Sequence, residues 1–340
     1  MGSAPEPSAP QGAQRLRVVE IAAADPSARP PERAAGNLPV ELSSFIGRER
    51  EVKEIKGLLL GDYRLLTLTG SGGCGKTRLA MAVASDLVES FEDGVWWVEL
   101  ASLSDPDLVP QAVTQALGVH EVPGRPLSEE LVEHLQSTKT LLVLDNCEHL
   151  IEACATLVHS LLRTCPALRV LATSREALGL TGERAWLVPP LSLPDPEDLP
   201  SVEELGRYEA VRLFVERAQA VTSGFELTPQ NAAAVARVCR RLDGLPLAIE
   251  LAAARVPVLS VEQIDARLDD CFGLLKGRSR TTLPRQRTLR AAVDWSYDLL
   301  SQEERSLARQ SFRQERRSVA SVAGKSPDRG RRFGFFAVRV

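Results

Sequence analysis

Four histidines in 340 residues, and six cysteines with no C-x-x-C pair among them, leave little from which to build a metal centre. Cys74, Cys147, Cys154, Cys165, Cys239 and Cys271 are scattered, four of them in apolar stretches. Free buried thiols in a reducing cytoplasm are therefore expected, not a disulfide framework. No apolar run is long enough to span a bilayer; residues 247–258 come nearest, and Glu250 and Arg255 interrupt them. No hydrophobic signal-peptide segment opens the sequence, so the expectation is a cytoplasmic chain without a membrane partner. A general excess of positive charge is missing too. The net charge of −4 and a pI near 5.8 argue against a protein that coats nucleic acid. That average hides an asymmetry: residues 313–340 hold eight Lys/Arg against Glu315 and Asp328, a net +6, which leaves −10 for the rest. The length gives room for two or three domains.

What is present is Gly70-Ser71-Gly72-Gly73-Cys74-Gly75-Lys76-Thr77, a match to G-x-x-x-x-G-K-[ST] at every fixed position. Its glycines allow a backbone that wraps an anion with its own N–H groups. Lys76 supplies a positive charge for β- and γ-phosphates, and the Thr77 hydroxyl a ligand for Mg²⁺. Residues 64–69 read as a buried strand entering this loop. Residues 78–88 read as a helix leaving it, with its N-terminal dipole toward the phosphate. About twenty residues upstream, Phe45-Ile46-Gly47 precedes a helix marked by Val52, Ile55, Leu58 and Leu59. This apolar pair and glycine suit close approach to a flat base, or an ordinary helix start packed on the sheet.

Downstream, residues 94–100 read as a strand, 105–117 as a helix that tolerates Pro110 only with a kink or a late start, and 131–135 as part of another. In residues 139–146 four apolar residues end in a carboxylate. A buried parallel strand there would carry Asp145 to Mg²⁺ at its tip; an Asp-Asn turn is the structural alternative. Asn146 cannot act as a base, so Glu148 is the nearest group to activate a water, unless it merely faces a helix dipole. His149 reads as structural. Residues 167–175 repeat the strand-then-polar pattern, and Arg175 at the sheet edge can sense a γ-phosphate or pair with Glu176 on the surface. A fifth strand over 184–191 ends at Pro189 and Pro190. Alternation of this kind specifies a parallel sheet covered on both faces. Beyond residue 200 the pattern is helical. Val202, Leu205, Tyr208, Val211, Phe214, Ala218 and Val221 predict one amphipathic helix. Residues 231–242 predict a second, a third opens on Pro246, and a short one covers 261–268. Leu289, Ala292, Val293 and Leu300 mark another, and Ser301 to Glu304 form a capping box opening the last.

Residues 70–77, 141–150 (LLVLDNCEHL), 171–178 (LATSREAL), 244–247 (GLPL) and 288–304 (TLRAAVDWSYDLLSQEE) together resemble the STAND class of signal-transduction ATPases. More closely, they are similar to the NB-ARC-type ATPase module of bacterial LuxR- and SARP-type transcriptional regulators, over about residues 37 to 312. The resemblance implies an α/β P-loop NTPase, its parallel sheet covered by helices (37–200), then an all-α helical subdomain (201–275) and an incomplete winged-helix-like segment (276–312). A disordered linker or tail (1–36) precedes these and a basic irregular tail (313–340) follows. It implies that Phe45, Ile46 and Gly47 lie against adenine and that Pro246 contacts the base from the helical side. Gly70, Ser71, Gly72, Gly73, Cys74, Gly75, Lys76, Thr77 and Arg78 would bind the phosphates. Thr77 and Asp145 would hold Mg²⁺, and Arg175 would be the sensor arginine. With Glu148 added, the catalytic set is Lys76, Asp145, Glu148 and Arg175.

ATP, ADP and Mg²⁺ are the ligands so implied, for a slow ATPase coupled to open and closed domain arrangements, with self-association on ATP binding. Two features depart from the pattern. Asn146 stands where many relatives carry a second acid, which argues against fast hydrolysis. No histidine follows His159 where a winged helix would supply one, so a truncated or frame-shifted product is expected after Phe312, with a genuine basic tail as the alternative. A P-loop phosphotransferase or kinase would need a second substrate pocket and an Arg-rich lid, and neither is evident. DNA binding is implied for full-length relatives. In this chain the tail offers only salt-sensitive backbone attraction, with no recognition helix in view.

Overall fold

The computed structural model describes residues 36–41, 43–195 and 201–268. The linker or tail, the helices expected at 289–304, the winged-helix-like segment, the basic tail and Cys271 lie outside the described residues. Five strands, β1 (Leu65–Thr69), β2 (Val95–Glu99), β3 (Leu141–Asp145), β4 (Arg169–Thr173) and β5 (Glu183–Leu187), pair in parallel in the order β2-β3-β4-β1-β5. Every residue of β3 is buried, which explains its unbroken apolar run before Asp145. Leu142 and Leu144 face α3 (Val109–Leu117), α4 (Leu127–Leu135) and α5 (Ile151–Thr164). Leu141 and Val143 face α1 (Glu49–Leu60) and α2 (Lys76–Leu87) on the opposite side, the two-residue alternation of a strand with a core on each face. This is an α/β P-loop NTPase fold. β3, β4 and β1 are neighbours, so the loops after Asp145, Thr173 and Thr69 gather at one end of the sheet, the end where parallel sheets bind ligands.

The β2 edge is dressed. Gly36 bridges Val95, and the Asn37 side chain accepts from Trp97 N (2.6 Å) and donates to Trp97 O (2.9 Å), as a further strand would. Pro110 is accommodated by the late start: a turn at Pro106–Leu108 comes first, and α3 begins at Val109 with the proline in its opening turn. The fifth strand is shorter than predicted. It ends at Leu187, after which Val188 N still reaches Thr69 O (2.9 Å) and Leu191 N turns to Gly244 O (3.1 Å).

After residue 200 the described chain is helical, around Leu205, Phe214, Val235, Val238, Ile249 and Ile264. The single helix predicted over 202–221 is two, α6 (Val202–Leu205) and α7 (Glu209–Val221). Ser201 and Glu204 close a capping box on α6. α7 restarts where Glu209 N donates to Ser192 Oγ (3.0 Å) and Ser192 N donates to Glu209 Oε2 (2.9 Å). The apolar spacing runs on because both helices cover one core, so it could not show the break. α8 (Ala232–Arg241), α9 (Pro246–Ala253) and α10 (Val261–Arg267) complete the group, α9 opening on Pro246. Among the described residues no helix is long and apolar enough to cross a membrane. Nor does any group of three or more His, Cys, Asp or Glu there suit a metal ion. Cys74, Cys147, Cys154, Cys165 and Cys239 are free and buried.

Candidate nucleotide site

A cavity of about 370 Å³ opens between the glycine loop and the start of α9. Gly72, Gly73, Gly75, Lys76, Thr77 and Arg78 form one wall, and Pro246, Leu247 and Glu250 face them. Phe45, Ile46 and Arg48 contribute from the segment ahead of α1, and Leu191 and Leu213 from the helical side. Asn146 and Glu148 stand at the sheet end. β1 and α2 hold the loop between them, so the first N–H groups of α2 have no partner within their own helix and face the anion-binding end. Gly73 has φ +81°, and a Cβ there would come within 2.9 Å of Leu247 Cβ, so the close seating of α9 on the loop requires glycine. Leu247 N donates to Gly73 O (3.2 Å) across the same contact.

Lys76 is nearly buried, and its Nζ donates to Gly70 O (2.8 Å) and Ser71 O (3.1 Å). Thr77 Oγ1 (2.8 Å) and Thr173 Oγ1 (2.6 Å) both donate to Asp145 Oδ1, while Asn146 Nδ2 donates to Oδ2 (2.7 Å). Burial raises the Asp145 pKa above the ordinary carboxylate value, the neighbouring Glu148 charge adds to this, and the hydroxyl donors oppose it. Asn146 adopts φ +65°, a conformation asparagine tolerates, and its N–H reaches Thr173 Oγ1 (3.0 Å). Glu148 Oε1 lies 3.7 Å from Arg175 Nε in an ion pair shielded from solvent. Glu148 Oε2 is buried without a hydrogen-bond partner. His149 Nε2 lies 2.8 Å from Leu103 O and 3.1 Å from Leu100 O; two carbonyl acceptors require the proton on this nitrogen and make the ring a structural tie.

The structure brings Phe45, Ile46, Gly72, Gly73, Gly75, Lys76, Thr77, Arg78, Glu148 and Pro246 to one cavity. Asp145 and Arg175 stand behind its wall, reached through Thr77 and Glu148. Gly70 and Ser71 offer carbonyls to Lys76, and Cys74 is buried under the loop. Gly47 turns away from the cavity: at φ +71°, a Cβ there would meet the Glu209 carboxylate at 2.6 Å.

Sequence reasoning missed Arg48. Its side chain is buried, and Nη2 donates to Cys74 O (2.7 Å) and Pro189 O (2.9 Å). Its backbone sits at φ +65°, with N donating to Glu209 Oε1 (2.5 Å). Burial lowers its pKa, yet a guanidinium stays protonated. Arg48 lines the cavity, and its Nη1 is buried beside Gly75 of the loop with no acceptor. A buried cationic donor left open beside a phosphate-type loop fits an anionic ligand. The one signal in the sequence was its place directly after Gly47. Leu191, Leu213, Leu247 and Glu250 were missed as well, because lining a cavity leaves no mark on apolar spacing.

Residues 48–177 match the model of the NB-ARC domain. The chain is 45% identical over 266 residues to an uncharacterized protein of Mycobacterium tuberculosis, covering 78% of this chain and 64% of that one. It is 47% identical over 251 residues to a protein of the same organism named as an HTH-type transcriptional regulator, covering 74% of this chain and 27% of that one. The chain thus spans less than two thirds of the length of these relatives. Among solved structures, a STAND protein with a tetratricopeptide repeat sensor from Pyrococcus horikoshii matches with a TM-score of 0.43 and 18% identity, over 79% of this chain and 35% of that one. With the cavity just described, residues 48–177 form an NB-ARC-like module on a P-loop fold, as the motifs suggested.

Proposed function

We propose that the chain is the ATP/ADP-binding switch of a transcriptional regulator, closed by ADP and opened by ATP. The observation that carries this reading is the cavity itself, walled by the phosphate loop on one side and by the start of α9 on the other. A nucleotide held there touches the sheet and the helical group at once, so its phosphate count can bias their separation. Loop N–H groups, Lys76 and Arg48 would take the diphosphate, with Gly70 to Arg78 as its cradle. Ile46, Phe45, Pro246 and Leu247 supply apolar surface for the base. Thr77 Oγ1 and the Asp145 carboxylate would hold Mg²⁺, which neutralises phosphate charge when bound. Glu148 would orient or deprotonate water, and Arg175 holds Glu148 in place until a γ-phosphate competes for the guanidinium. Hydrolysis is slow on this reading because the residue after Asp145 is an amide donor, Asn146, in place of a second acid.

The sheet domain would cover 37–200, the helical subdomain 201–275, and a winged-helix-like segment 276–312. Regulation of transcription is supported by the M. tuberculosis relative named as an HTH-type regulator, and contact with DNA would belong to parts those longer chains carry. Self-association of the ATP-bound form and a cytoplasmic location belong to the same proposal. Mass spectrometry of the nucleotide that co-purifies tests it: trapped ADP is expected. Material that emerges empty and binds neither ATP nor ADP in a calorimeter would overturn it.

A further inference from the structure

Two carboxylates line the cavity, at different places. Glu148 stands beside Asn146 at the sheet end, while Glu250 stands on α9, one turn beyond Pro246 and Leu247. Glu250 Oε1 accepts from Arg217 Nε (3.1 Å) and Arg78 Nη1 (3.4 Å). The same arginines grip the strap ahead of α1: Arg78 Nη2 donates to Ser43 O (2.9 Å) and Ser44 O (2.6 Å), and Arg217 Nη2 to Ser44 O (3.1 Å). The carboxylate is therefore fixed in orientation and its charge is balanced, so it does not repel a phosphate ligand nearby. Oε2 receives no hydrogen bond from the described residues, and the side chain keeps 31% of its exposure. It is a pre-set acceptor on the cavity wall.

What it can accept follows from its place. Arg78 comes directly after Thr77 on α2, so Glu250 lies next to the end of the phosphate cradle. The apolar lining, with Phe45, Ile46, Pro246 and Leu247, takes the base. Between diphosphate and base lies the sugar, whose vicinal hydroxyls are neutral donors suited to a carboxylate. We infer that Glu250 reads the ribose hydroxyls and makes the site select ribonucleotides over deoxyribonucleotides. This specificity rests on the nucleotide reading above.

Calorimetric titration of the full chain with ADP, 2′-deoxy-ADP, 3′-deoxy-ADP and IDP, repeated on Glu250→Gln and Glu250→Ala, tests it. The wild type is expected to bind ADP about tenfold or more tighter than either deoxy analogue, as for a hydrogen bond to a charged group. In both variants that gap should shrink to within about threefold, with affinity for the deoxy analogues unchanged. Equal wild-type affinities for ADP and both deoxy analogues would overturn the inference, as would a gap that survives in both variants. Loss of discrimination against IDP alone would assign Glu250 to the base amine and overturn it too. A wild type that binds no nucleotide would instead overturn the nucleotide reading itself.

Discussion

Arg48 and Asp145 show how single side chains give the cavity its sign. Arg48 accepts a left-handed backbone and a buried guanidinium, each costly, and has two carbonyls and the Glu209 carboxylate as compensation. Lysine carries all its donors on one nitrogen, so an ammonium bound to Cys74 O and Pro189 O in place of Nη2 has no second nitrogen to stand where Nη1 does. Arg48→Lys should therefore lower ADP affinity by about tenfold or more, the scale of one charged hydrogen bond, in a calorimetric titration. Lys76→Ala should remove measurable ATP binding, and unchanged affinity would end the assignment of the loop. Asp145 leads to a prediction about pH. Its pKa is raised in the fold, so the protonated acid is favoured there. The stability this confers is present in full below the ordinary carboxylate pKa and is lost as pH rises from there through the raised value. Asp145→Asn removes that titration. As pH rises from the ordinary carboxylate pKa, the variant's melting temperature without nucleotide should fall less than the wild type's. Parallel pH profiles would contradict this.

At the level of elements, the sheet was legible and the joints were not. β3 and β4 announce themselves as apolar runs because both faces of a central parallel strand are covered, and each ends in the polar residues that the sheet edge needs. The glycine loop was legible for a different reason: its chemistry is local, contained in eight consecutive residues. By contrast, the break between α6 and α7 depends on Ser192, seventeen residues before Glu209, and the exit of β5 depends on Gly244, far along the chain. No spacing rule reaches such partners. Arg48 and Glu250 escaped notice likewise, since each is defined by what the fold brings to it. The seating of α9 on the loop makes a sharp test. Gly73→Ala should push Leu247 away and weaken ADP binding, measured by titration, while adding strain of about 1–2 kcal/mol from its left-handed backbone, measured by denaturant unfolding. Phe214, fully buried among the helices and packed edge-on to Phe225, should cost about 3–5 kcal/mol when cut to alanine in the same unfolding experiment.

Across the whole molecule, Glu209 is the residue at which the parts meet. One oxygen takes Arg48 N from the segment ahead of α1, the other takes Ser192 N from the exit of the sheet, and the residue itself opens α7. A ligand that bridges sheet and helices should share in that linkage, so saturating ADP should raise the melting temperature and slow hydrogen exchange at the Leu247 amide. Glu209→Ala should weaken both responses while leaving the phosphate loop intact. Far from that joint, Asn37 fills both hydrogen-bonding positions of Trp97 with one side-chain amide. Two residues at the start of the described fold thus occupy a row of backbone groups that another molecule would otherwise adopt as its neighbour. A chain shortened to begin after residue 41 would present that row bare. Such chains should join edge to edge and scatter light at concentrations where the longer protein stays clear, which sets a limit on how far the protein can be trimmed.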